Sequence, residues 1–221
     1  MKSIVLLKRV IFAAALIPAA VLVVDAFTGR LTANPIDFIT DTTGDWAIRF
    51  LIITLCVTPI RRITGWNPII RLRRMLGLFA FFYATLHFLT WSVLDWFFDF
   101  RQMGSDIVKR PFITLGMATF LMLLALAVTS TTASIRRLGR RWTQLHRLIY
   151  LAVTTALFHF WLARKTVVPQ FEFLAVVAAF LLGFRAWWAL RIRTHARPSV
   201  SPSSLTAGKT DISNISKKTN A

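Results

Sequence analysis

Six apolar runs set the terms for any fold of this chain: residues 10–27, 46–60, 75–96, 111–129, 145–162 and 171–190. About 20 residues of helix, rising ~1.5 Å each, cross the ~30 Å hydrocarbon layer of a bilayer. Five of the runs approach or reach that length, and the second is short. Backbone inside lipid must satisfy its own polar groups, which a helix does within one segment. The expected fold is therefore an all-α membrane protein, a bundle of about six transmembrane helices. A chain that is 56% hydrophobic and only 16% charged has the composition for it.

The net charge of +18 would point to nucleic acid in a soluble chain. Its distribution points elsewhere. Basic residues gather in alternate connections: Lys2, Lys8 and Arg9; Arg61, Arg62, Arg71, Arg73 and Arg74; Arg136, Arg137, Arg140 and Arg141; Arg191, Arg193 and Arg197. The remaining connections hold Asp25, Asp37, Asp41, Asp45, Asp95, Asp99, Asp106 and Glu172, eight of the nine acidic residues. Cytoplasmic loops carry the Lys/Arg excess, so both termini are expected in the cytoplasm, with the basic face toward anionic lipid and no nucleic-acid partner. Trp46, Trp96, Trp142, Trp161, Trp187 and Trp188 lie near the run ends, where amphipathic rings settle at the interface. The organisation expected is a cytoplasmic N-terminus over 1–9, a membrane domain over 10–193 and a disordered cytoplasmic tail over 194–221, rich in Ser and Thr. The first run has no convincing cleavage pattern and is read as an uncleaved helix. Cys56 is the single cysteine, which excludes a disulfide and a thiolate-held cluster.

Three of the four histidines fall within apolar runs: His87 in the third, His146 and His159 in the fifth. Ionisable groups in lipid are costly and usually serve a site in the bundle interior. Few carboxylates lie inside the bundle to share a zinc or di-iron site, whereas neutral imidazole is a common haem ligand. Depth sorts the three. His159 is thirteen residues beyond His146, ~20 Å along a helix, and the level of His87 is close to that of His159. His87 and His159 are the expected axial ligands of one haem. His146 sits at a separate level as a possible ligand of a second haem. Thirteen residues turn an ideal helix by ~220°, so His146 and His159 share one face only if the helix is distorted. Asp45 and Arg49 are four apart and could pair along a helix, or Arg49 could meet a haem propionate.

The segments RRMLGLFAFFYATLHFLTW (73–91), KRPFITLGMATFLMLLALAVTS (109–130) and RRLGRRWTQLHRLIYLAVTTALFHFW (136–161) resemble the MsrQ (YedZ) family, and residues 32–65 are similar to it as well. The histidine pattern alone would also fit the wider ferric reductase-like transmembrane group. That group carries two histidines on each of two helices. Here the third helix has one, and Arg73 stands fourteen residues before His87.

The resemblance implies a haem b electron-transfer subunit rather than a catalytic one. Electrons would come from the quinone pool or a reduced flavin, and a periplasmic molybdopterin subunit, MsrP, would use them to reduce methionine sulfoxide in oxidised proteins. FMN is implied by the resemblance only, for no dinucleotide fingerprint is present. The alternatives are a haem b ferric reductase or other transmembrane cytochrome with a different acceptor, and a haem-free transporter or scaffold. No convincing discontinuous helix or inverted repeat supports a transporter.

Overall fold

The computed structural model describes residues 2–164 and 169–195, and every regular element among them is helical. The chain is an all-α membrane protein. Its helices are α1 (Lys2–Thr28), α2 (Pro35–Thr64), α3 (Ile70–Leu89), α4 (Phe100–Lys109), α5 (Pro111–Val128), α6 (Thr132–Leu138), α7 (Arg140–Leu145), α8 (Leu148–Ala163) and α9 (Pro169–His195). Among the described residues four helical stretches are long and apolar enough to cross a membrane: Ile4–Thr28, Asn67–Asp95, Pro111–Val128 and Arg140–Ala163. The chain divides into two compact units, residues 1–182 and residues 183 onward. In the second, Phe184, Trp187 and Trp188 lie ring to ring and Arg191 stacks on Trp187, 5.1 Å from the ring centroid.

The first unit is built from two helical hairpins, α2 against α3 and α5 against α8, joined mainly through α3 and α5. Small residues permit close crossing: Ala80 and Ala152 are both fully buried, and Leu51, Leu55 and Val153 fill the space between helices. Exposed apolar side chains cover the outside, among them Leu6, Ile17, Leu121, Leu151 and Phe180. In lipid, that surface is solvated by acyl chains.

Tyr83 ties α1 to the hairpins. Pro18 interrupts the hydrogen-bond ladder of α1, and the Tyr83 hydroxyl enters at the next rung, donating to the Ala15 carbonyl (2.7 Å) and accepting from the Ala19 N–H (3.2 Å). Tyr83 is 1% exposed and stacks on Phe50, with centroids 5.4 Å apart and planes at 12°.

The helices depart from the apolar runs in three places. α2 begins at Pro35, well before residue 46, because Pro fits the first turn of a helix and the polar turns Asp37 to Asp45 line an open cavity rather than lipid. Before α2 ends at Gly65, in the left-handed region at φ +68°, Pro59 is accommodated within the helix. The fifth run is not one helix: the chain breaks between α7 and α8, with His146 and Arg147 in the turn. Finally, α3 ends in a wider π turn over Thr90–Asp95, followed by Phe97 and Phe98 in the left-handed region at φ +47° and +59°, which costs ~1–2 kcal/mol for each L residue. The tail expected to be disordered lies outside the described residues from 196 on.

Candidate functional site

A cavity of about 550 Å³ opens between the two hairpins, and His87 and His159 face it from opposite sides. Their ring centroids are 5.9 Å apart and their planes cross at 74°. His87 Nδ1 lies 2.9 Å from the Thr40 carbonyl and His159 Nδ1 lies 2.6 Å from the Phe112 carbonyl. A carbonyl only accepts, so each Nδ1 carries the proton and each Nε2 presents a lone pair. Two imidazoles binding one metal at about 2 Å per nitrogen would hold their centroids roughly 6 Å apart, which the observed spacing matches.

The two halves of the site share one sequence spacing. Each imidazole is 47 residues beyond the carbonyl that accepts its proton. Each is also packed on a glycine one turn after that carbonyl: a Cβ at Gly44 would stand 3.0 Å from His87 Nδ1, and one at Gly116 would stand 2.9 Å from His159 Nδ1. The offset of 72 residues that relates His87 to His159 also relates Gly44 to Gly116, Leu51 to Leu123, Ala80 to Ala152, Ala84 to Ala156 and Phe88 to Phe160. The chain therefore delivers the same carbonyl, glycine and histidine twice, once from each hairpin.

The rest of the lining is aromatic below and charged at one end. Phe88 stacks on Phe120 at 4.7 Å and 11°, and Trp91, Phe112 and Phe160 complete the apolar wall. Arg164 bonds Asp45 at 2.9 Å and lies 3.8 Å from Asp41, while Arg110 Nε bonds Asp106 at 2.8 Å. Arg49 is 3.7 Å from Asp45 and stacks on Trp46, so the expected i,i+4 pair forms but Arg164 is the nearer partner. Two buried oxygens on this lining, Thr40 Oγ1 and Asp106 Oδ2, have no hydrogen-bond partner among the described residues. A largely apolar cavity of this size, with two imidazoles and several polar atoms on its lining, fits a metal-centred macrocycle bearing polar substituents.

His146 does not line this cavity. Its ring stacks on Trp142 at 3.9 Å, its Nδ1 lies 3.1 Å from the Trp142 carbonyl, and its Nε2 lies 3.5 Å from Ser130 Oγ. Among the described residues no group of three or more His, Cys, Asp or Glu side chains is placed to hold a metal ion. Reading the sequence missed Gly44 and Arg164. The 72-residue offset would have revealed Gly44, and only the position of α8 beside α2 reveals Arg164.

Residues 43–157 match the family described as ferric reductase like transmembrane component. The chain is 48% identical over 192 residues to the protein-methionine-sulfoxide reductase heme-binding subunit MsrQ of Herminiimonas arsenicoxydans, spanning 86% of this chain and 88% of that one. The chain belongs to the MsrQ family. The MsrQ of Ralstonia nicotianae is also 48% identical, over 193 residues, covering 86% of this chain and 89% of the relative. The MsrQ of Xanthomonas oryzae pv. oryzae is 44% identical over 207 residues, or 90% and 95% of the two chains. The ferric reductase-like match holds Gly44, His87, Gly116 and His146 and stops two residues short of His159, whereas the MsrQ likeness extends over most of the chain.

Proposed function

We propose that this chain is the haem-binding electron-transfer subunit of a bacterial methionine sulfoxide reductase system, with His87 and His159 as axial ligands of one b-type haem. The observation that carries the reading is the pair of imidazoles facing each other across the cavity, each with Nδ1 committed to a carbonyl and Nε2 left for a metal. The relatives' name, heme-binding subunit, supports the same group. When bound, haem supplies an iron that changes oxidation state by one electron. The carbonyls of Thr40 and Phe112 hold the imidazole tautomers, Gly44 and Gly116 let helix backbone approach the rings, and the aromatic wall excludes water. Arg110 and Arg164 on the lining are each held by aspartates, Arg110 by Asp106 and Arg164 by Asp41 and Asp45, so this end of the site carries carboxylates as well as cations.

The wider assignment follows the family. Electrons enter from the quinone pool or a reduced flavin, FMN among them, and leave to a periplasmic molybdopterin subunit, MsrP, in the inner membrane of the cell. Both termini face the cytoplasm, so the His87/His159 cavity is on the periplasmic side. His146, in the turn between α7 and α8, is a separate inner-level residue available to a second haem or to electron entry. The match to ferric reductase-like membrane components favours a second reading, direct reduction of an external metal complex. Co-purification with a molybdoenzyme separates the two.

The test is the reduced-minus-oxidised visible spectrum and haem content of the purified wild type beside His87→Ala, His159→Ala and His146→Ala. Loss of the same low-spin species in the first two, with its retention in the third, is expected. Loss of all haem in His146→Ala alone would overturn the pairing.

A further inference from the structure

Between the π turn and α5 the chain makes a surface that no other described residue covers. Asp99 caps α4, accepting from the backbone N–H groups of Arg101 and Gln102 at 3.1 Å each. At 100° per residue, the ten residues of α4 divide into three sectors. Met103 and Asp106 are buried toward the bundle. Arg101, Gln102, Ser105 and Lys109 form a polar sector. Phe100, Ile107 and Val108 form an apolar one, and Phe100 is 77% and Val108 85% exposed. Phe97 and Phe98 extend that apolar surface, at 82% and 49% exposure.

The backbone adds a second observation. Phe97 and Phe98 occupy the left-handed region, where Gly or Asn would cost less. Large apolar side chains are thus held at strained positions and directed away from the protein, which is favourable only where something apolar receives them. What receives them is set by the two spans. One stretch suited to crossing ends at Asp95 and the next starts at Pro111, so the segment between is tethered at the boundary of the hydrocarbon layer at both ends. Its apolar sector continues the exposed apolar surface of the helices beside it, and Arg101 and Lys109 on the polar sector suit lipid phosphates.

We infer that residues 97–109 form an interfacial anchor, with Phe97, Phe98, Phe100 and Val108 inserted among the acyl chains and α4 lying in the headgroup plane at the His87/His159 end of the bundle. The occupant is the bilayer, not a partner protein. Since Asp106 on the opposite side of α4 lines the cavity, lipid contact and cavity wall belong to one rigid helix. The inference stands whether or not the cavity holds haem.

Site-directed spin labelling tests it. In a Cys56→Ala background, single cysteines replace Phe100, Val108, Arg101 or Ser105, each carries a nitroxide, and the full chain is reconstituted in phosphatidylcholine/phosphatidylglycerol vesicles. Power saturation then compares collisions with oxygen, which concentrates in lipid, and with a water-soluble nickel chelate. Labels at 100 and 108 should favour oxygen and the label at 105 should favour nickel, with 101, only 20° from 108 around the helix, lying between them. Val108 touches so little of the protein that its replacement leaves the fold intact, so that position decides even if Phe100→Cys fails to fold. Nickel accessibility at 108 equal to that at 105 would overturn the inference, as it would if a partner protein normally covers this face.

Discussion

A Cβ placed on Gly116 would stand 2.9 Å from His159 Nδ1, closer than such atoms approach in folded proteins. The imidazole is wedged between this glycine and the Phe112 carbonyl, so neither ring position nor tautomer is free. Gly116→Ala, and Gly44→Ala beside His87, should therefore weaken haem retention by about 10–100-fold while leaving both histidines in place. Haem-to-protein ratios after dilution and gel filtration check this. Gly77→Ala is the control, because its Cβ would meet only Thr54 at 3.8 Å and should change nothing.

The Tyr83 hydroxyl bridges Ala15 and Ala19 in α1, the rung next to the one Pro18 cannot make. Tyr83→Phe keeps the stacking on Phe50 and removes both hydrogen bonds to the α1 backbone. Stability should fall by about 1–3 kcal/mol, seen as a lower melting temperature in detergent, with crosslinks between α1 and α3 forming less efficiently.

Arg164 bridges the end of α8 to α2. Arg164→Gln leaves Asp45 and Asp41 without their shared cation and should lower stability by roughly 1 kcal/mol, since the pair is only partly exposed. Arg49→Gln should cost less because its contact with Asp45 is 3.7 Å against 2.9 Å. Thermal unfolding of the two variants in the same detergent gives the order.

Sidedness is open to a direct measurement. A reporter fused after His195 should be active only in the form that works in the cytoplasm, and one inserted at Gly104 only in the form that works outside it. Activity in the opposite compartments would invert the assignment of the His87/His159 cavity.

What the sequence disclosed follows the physics of each segment. α5 is free of charged residues, so hydrophobicity alone places it, and it starts at Pro111 where its run begins, whereas α1 extends its run back through Arg9 and Lys8 to Lys2. The approach of His87 to His159 was legible because depth along a helix is fixed by residue count. The first turns of α2 were not, since Asp37, Asp41 and Asp45 read as loop until their cavity is known. α4 was hidden for a related reason: its ten residues are too polar to count as a span, although Asp99 in the cap position was a usable signal. The break at His146 depends on how α7 meets the preceding turn, where Trp142 Nε1 donates to the Thr129 carbonyl at 2.9 Å. No local pattern encodes that contact.

The 72-residue offset has a bearing on biogenesis. One hairpin brings His87 and its glycine, and the other brings His159 and its own, so neither inserts into the membrane with a complete binding site. A nascent chain that has emerged only through α4 owns half of a clamp. Any group that needs both imidazoles is captured only after α8 has been laid down beside α5, and capture then staples two halves whose direct contact runs mainly through α3 and α5. A truncated chain therefore has no means of holding a group that requires both histidines.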